Sequence, residues 1–168
     1  MLFRSEEAIK TLVQAFVLSQ LDYCNSLLYG ITKTQLVKLQ RIQNSAARMI
    51  TGTRKYDSIT PVLKHLHWLP MNERIEFKVL VMVFKALHGS APSYIQELIK
   101  PYTPRRTLRS ASSRTVEVPV TRTSYGDRSF SKAGAHLWNN LPEDLRSVET
   151  LETFRWNLKT FLFRRAYN

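Results

Sequence analysis

The sequence predicts a mainly α protein: a helical bundle over residues 1–100, a basic extended or short β segment over 101–135, and a C-terminal helical region over 136–168. Three observations carry this prediction. Apolar residues recur at three- and four-residue spacing through most of the first hundred positions. Residues that start and stop helices bracket those stretches. At Pro101 the composition turns to Arg, Ser and Thr, with few aliphatics. A chain of 168 residues, 43% hydrophobic and 23% charged, can bury a sizeable core as one domain or one domain with an appendage.

The first helix is expected over residues 6–28, where Ile9, Leu12, Val13, Phe16, Val17, Leu21, Cys24 and Leu28 make one apolar stripe. Ser5 is placed to cap it, Glu6 and Glu7 suit its positive end, and Gly30 closes it. A second helix opens at Thr32 with Gln35 three residues on, a capping-box pattern, and stops at Gly52. Leu36, Leu39, Ile42, Ala46, Met49 and Ile50 are predicted to line its inner face. Thr60-Pro61 starts a short helix that Leu69-Pro70 breaks. A third long helix spans about 72–88, and its apolar middle, Val79 to Phe84, marks it as central. Ala91-Pro92 begins another short helix that reaches Ile99.

Beyond Pro101, Val116, Val118 and Val120 alternate as in a short strand, which Pro119 demotes to an edge or an extended piece. Leu137, Trp138 and Leu141 form an apolar knot before Pro142, followed by a turn of helix through Leu145. The last helix, about 150–166, carries Leu151, Phe154, Leu158, Phe161 and Leu162 on one face.

Charge is the compositional outlier. Lys and Arg number 25 against 13 Asp and Glu, a net charge of +12, which points first to nucleic acid and second to an anionic membrane. The charge divides as +6 in residues 1–100 and +6 in the shorter 101–168, with +5 concentrated in 101–132. Cationic side chains neutralise phosphates and release counterions with little regard to sequence. Arg41, Arg48, Arg54 and Lys55 in or just after the second helix, and Arg105, Arg106, Arg109, Arg114, Arg122 and Arg128 in the basic segment, are the candidate nucleic-acid contacts. Tyr102, Tyr125 and Phe130 lie near enough in sequence to stack on bases.

Other chemistries find little support. A single cysteine, Cys24, excludes a disulfide framework or a Cys-rich zinc module, and its place on the first stripe predicts a buried, inert thiol. The adjacent acids Glu6-Glu7 and Glu143-Asp144 fall at predicted helix starts, where the helix dipole accounts for them. His65 and His67, two apart, would face different ways on a helix and lack a third ligand. There is no glycine-framed serine, no GxGxxG and no phosphate loop. No apolar run approaches a membrane span, and the acidic N-terminus is unlike a signal peptide, so a soluble intracellular protein, cytoplasmic or nuclear and not secreted, is expected, with no small-molecule substrate and no cofactor.

Several ordered motifs carry a family resemblance. They are Leu21-Asp22-Tyr23-Cys24-Asn25; Leu39-Gln40-Arg41-Ile42-Gln43-Asn44-Ser45-Ala46-Ala47-Arg48 with Thr51-Gly52; Ile59-Thr60-Pro61-Val62-Leu63; and Leu66-His67-Trp68-Leu69-Pro70 with Arg74-Ile75 and Phe77-Lys78. Lys85-Ala86-Leu87-His88-Gly89, Ala91-Pro92-Ser93-Tyr94, Arg106-Thr107-Leu108-Arg109-Ser110, Leu137-Trp138-Asn139-Asn140-Leu141-Pro142 and Lys159-Thr160-Phe161-Leu162 follow. In this order they resemble the C-terminal region of reverse transcriptases of non-LTR (LINE-type) retrotransposons, most of all the chicken-repeat and jockey-like branches. The resemblance implies a thumb-like helical bundle and the segment beyond it, which would grip an RNA or RNA–DNA template–primer.

Such polymerases are Mg²⁺-dependent and rest on palm aspartates, typically an aromatic-x-Asp-Asp motif. This chain has no Asp-Asp pair, so the resemblance carries over no catalytic residue. It implies a non-catalytic piece of an RNA-directed DNA polymerase whose palm and fingers are the missing partners, as from a truncated or decayed element. The alternatives are a helical protein-interaction module, with apolar faces shaped for the absent palm, or an inert product.

Overall fold

The computed structural model describes residues 2–103 and 114–168. It is mainly helical, as predicted: α1 (Leu2–Val13), α2 (Ser19–Asp22), α3 (Lys33–Thr51), α4 (Thr60–His65), α5 (Met71–Leu87), α6 (Ser93–Gln96), α7 (Phe130–Asn139), α8 (Glu143–Arg146) and α9 (Leu151–Tyr167). The chain packs as two compact units, Met1–Ile75 with Leu162–Asn168, and Glu76–Phe161. The described residues of the expected basic segment 101–135 lie in the second unit.

The first unit departs from the predicted N-terminal stripe for a definite reason. The helix begins at Leu2, so Ser5 lies within it and does not cap it. Between α1 and α2 one π-helical stretch, Gln14–Leu18, inserts extra residues per turn. The buried positions therefore step from Val13 to Leu18 and then to Leu21. Phe16, inside that stretch, faces outward and is 72% exposed; Leu12, which precedes it, is exposed as well. The helix ends at Asp22, and Cys24 adopts a left-handed φ of 49° at the head of a short 3₁₀ turn, Asn25–Leu28. Cys24 is exposed, which corrects the expected buried thiol. Asn25 is buried there and its Nδ2 donates to Asp22 Oδ1 at 3.3 Å.

Thr32 caps α3, accepting from the Gln35 backbone N–H, and Gly52 at φ +67° closes it in the left-handed conformation that a Cβ would strain. The inner face of α3 is Gln43, Ala46, Ala47 and Ile50; Ile42 and Met49, predicted to be inside, are exposed. Gln43 is thus a polar core residue. Its Nε2 donates to Leu69 O at 2.8 Å and its Oε1 accepts from Gln40 Nε2 at 2.9 Å. Gln40 Oε1 in turn accepts the Met71 N–H at 2.8 Å, which satisfies one of the orphan donors at the start of α5. The cap position of α4 is Ile59, not Thr60, with Pro61 in the first turn. Asp22 and Arg74 meet in a two-pronged ion pair, Nε to Oδ1 at 2.6 Å and Nη2 to Oδ2 at 2.8 Å.

The C-terminal end of α9 completes this core. The Tyr167 hydroxyl donates to Trp68 O at 2.7 Å, and its ring packs 4.7 Å from that of Phe163. Burial, and secondarily the charge of Glu73, pushes the Tyr167 phenol up to about 12 from an ordinary 10.0. The folded state therefore favours the neutral phenol. Its contribution is complete below pH 10 and is lost as pH climbs through about 12. The urea midpoint of the wild type is expected to fall more steeply than that of Tyr167→Phe between about pH 9.5 and 11.5. Parallel pH profiles for the two would refute that role for the phenol.

In the second unit Val79, Leu80, Val83 and Phe84 of α5 are buried, as the apolar middle predicted. Phe84 stacks on Phe154 at 4.4 Å, and Trp138 lies 5.7 Å from Phe154. Helix α7 starts at Phe130, ahead of the helical region expected from residue 136 and inside the segment expected to be extended. A Cβ at its Gly134 would come within 2.8 Å of Val83 Cγ2, so glycine permits close approach of α7 to α5. The expected short β segment is a single antiparallel bridge, Pro101 with Val116, in which Tyr102 N donates to Thr115 O and Glu117 N to Lys100 O. Asn139 of α7 clamps Val116 through both its backbone N–H and its C=O, at 2.9 Å each. Val118 and Val120 are exposed, so the alternation does not extend the bridge. The short helix predicted to reach Ile99 stops at Gln96.

Candidate nucleic-acid interface

The basic residues divide by what their side chains already hold. In the first unit, Arg41 and Arg48 are seven residues apart on α3, so they share one face about 10 Å apart along the axis. Arg41 is exposed. Arg48 is engaged: its Nε donates to Arg54 O at 3.2 Å and its Nη2 to Asp57 O at 3.0 Å. The Asp57 carboxylate accepts the Arg54 N–H at 3.2 Å, which closes the turn after Gly52. Arg48 is thus a positioning residue that pins a turn from which Arg54, Lys55 and Tyr56 project into solvent. Tyr56 is 93% exposed, with Lys55 Nζ 5.8 Å from its ring centre.

Beside this face lies a groove of about 320 Å³ whose walls include Val13, Val17, Ile42, Ala46 and Met49, with Arg41 at its edge. A mixed surface of cations and exposed apolar groups results.

In the second unit, Arg122 and Arg128 are exposed, and Arg128 lies 5.9 Å from the centre of the exposed Tyr125 ring. Tyr102 is exposed and Phe130 is half-buried. Arg114 is exposed at φ +46°, but its Nη1 donates to Ser147 O at 3.0 Å and its backbone carbonyl accepts from Trp138 Nε1 at 2.8 Å. Lys132 is bound to Asp127 at 2.6 Å. Hydrogen bonds from Lys132 and then Thr121 hold the Asp127 carboxyl below the ordinary carboxylate range. Arg105, Arg106 and Arg109 lie outside the described residues.

Tyr56 is a functional candidate that sequence reasoning misses. The signal for it is an aromatic directly after Arg54-Lys55, well before the basic segment in which stacking aromatics are expected. Among the described residues no group of three or more His, Cys, Asp or Glu could hold a metal ion, and no helix is long and apolar enough to cross a membrane. Set against known protein families, characterised proteins and solved structures, the chain has no significant match.

Proposed function

We propose that the chain is a non-catalytic, nucleic-acid-binding piece of a non-LTR retrotransposon reverse transcriptase, gripping an RNA or RNA–DNA template–primer by its phosphates. The carrying observation is the turn pinned by Arg48, which presents Arg54, Lys55 and an almost fully exposed Tyr56 together. Cations held on a fixed turn meet phosphates with little further ordering cost, and an exposed aromatic beside them offers a stacking face to an unpaired base. The net charge of +12 adds long-range attraction for any polyanion. The ordered motifs from Leu21 to Leu162 support the family assignment, and the parent polymerase would supply the Mg²⁺-dependent palm.

The test is fluorescence anisotropy with a blunt RNA–DNA duplex from 50 to 200 mM salt. Affinity should fall steeply and log-linearly with salt, and Arg54→Ala with Lys55→Ala should reduce the slope by about 2, roughly one for each phosphate no longer neutralised. Tyr56→Ala should leave blunt-duplex binding unchanged and weaken binding to a single strand by about 1–3 kcal/mol. No binding at 50 mM salt, or a flat salt series, overturns the reading. Concentration-dependent sedimentation in that case would favour the alternative, a protein-interaction module using the groove beside Ile42 and Met49.

A further inference from the structure

The second unit contains a buried positive charge with no counter-charge in contact among the described residues. Arg146 ends α8 and is only 9% exposed, yet its Nε and Nη1 have no hydrogen-bond partner among those residues. An arginine does not shed its proton near neutral pH, so the protein cannot escape the cost by neutralising the group. Native proteins rarely leave such donors empty, and an orphaned buried donor asks for an acceptor from outside.

Arg146 lines a pocket of about 470 Å³, a volume suited to a small ligand. Arg114, Thr115 and Glu149 also line it, with Trp138 and Leu87 as apolar walls. Glu149 is the carboxylate among these residues, and it forms no ion pair with Arg146. Among the Arg and Glu residues described in the lining, two guanidinium groups against one carboxylate leave one net positive charge, which matches a singly charged anion. A phosphodiester carries one negative charge, whereas a phosphomonoester carries nearer two at neutral pH. A duplex cannot enter a pocket of this size, but a single unstacked nucleotide can, and unstacked nucleotides are the usual targets of RNA-binding pockets.

We propose that this pocket takes the phosphodiester of one unpaired nucleotide, with Arg146 as its buried ligand, Arg114 and the Thr115 hydroxyl as further donors, and the apolar walls against the sugar or base. The inference rests on the nucleic-acid reading above and adds to it a site for a single strand, separate from the exposed cations of the Arg54–Tyr56 turn.

The probe is a dinucleoside monophosphate, two thymidines joined by one phosphodiester, added to the full chain at constant ionic strength while thermal unfolding is followed. It should raise the melting temperature of the wild type, and more than equal concentrations of acetate or inorganic phosphate. Arg146→Met removes a buried charge that lacks a partner, so without ligand it should melt above the wild type, and it should show no shift with the dinucleotide. Glu149→Gln removes the opposing carboxylate and should tighten dinucleotide binding by about threefold to tenfold. A dinucleotide shift that Arg146→Met keeps overturns the proposal, and so does a wild-type shift no larger than that with acetate or inorganic phosphate. Should Arg146→Met not fold, Glu149→Gln decides, and unchanged or weaker binding overturns it. Blunt-duplex affinity, which belongs to the exposed cations, should be the same in the wild type and Arg146→Met. Loss of the surface reading and loss of the pocket are therefore seen in different measurements.

Discussion

Phe154→Ala is expected to cost about 3–5 kcal/mol of stability, the range for removing a fully buried aromatic ring. Phe154 has no exposed surface and lies within stacking distance of Phe84 and beside Trp138. Its removal deletes the transfer energy of the ring and its offset contact with Phe84, and opens a cavity that Trp138, itself buried, cannot collapse into without leaving its hydrogen bond to Arg114 O. The control lies two residues along the same helix. Trp156 is 76% exposed, and Trp156→Ala should change stability by about 0.5 kcal/mol or less. Urea unfolding followed by near-ultraviolet circular dichroism reads the cluster directly. A loss below about 1 kcal/mol for Phe154→Ala would mean that the three rings are not the core of this unit.

The contrast between Phe154 and Trp156 also shows where the sequence is informative. The apolar face of α9, the apolar middle of α5 and the Thr32 and Gly52 limits of α3 are local signals, and the structure follows them. The misreadings arise where a backbone irregularity or a non-local contact overrides the simple period. The π-helical stretch at Gln14–Leu18 shifts the buried set that follows Val13 by one position, so that Phe16, a regular member of the stripe, faces out. Gln43 is polar and so falls outside the predicted inner face, because the partner that lets it be buried, Leu69 O, is 26 residues away. The early start of α7 at Phe130 goes with Gly134, whose missing Cβ lets Val83 approach from another helix.

The candidate interface follows the same division. That Arg54 and Lys55 are exposed cations is readable from composition and turn residues. That Arg48 and Arg114 donate to the carbonyls of Asp57 and Ser147, and that Arg146 is buried without an acceptor among the described residues, depends on packing that no spacing encodes. The same holds for the ordered sequence motifs. Gln40, Gln43, Asp22, Arg74, Trp138 and Asn139 all stand in them, and in the structure each makes a side-chain hydrogen bond that ties one segment to another. Those positions specify the scaffold, and the cations it presents are where binding is to be sought.

Gln43→Ala is the second substitution expected to have a large effect, about 2–4 kcal/mol, because it adds a cavity to an unpaired polar group. Gln43 is fully buried where α3 meets the Leu69-Pro70 connection, and it donates to the Leu69 carbonyl there. Truncation strands Leu69 O and removes one of the two acceptors, Gln43 Oε1 and Asn44 Oδ1, that orient Gln40, whose own Oε1 holds the first N–H of α5. Gln43→Leu separates the two contributions. It restores most of the side-chain volume but leaves Leu69 O without its donor, so it should recover the cavity part and still cost about 1–3 kcal/mol. If Gln43→Leu were as stable as the wild type in urea unfolding, the network would contribute only volume, and the start of α5 would be held by something else. Because α3 also carries Arg41 and Arg48, the folded Gln43→Leu protein should keep the wild-type salt dependence of duplex binding. A stability loss with unchanged binding is what separates a scaffold residue from a contact residue on the same helix.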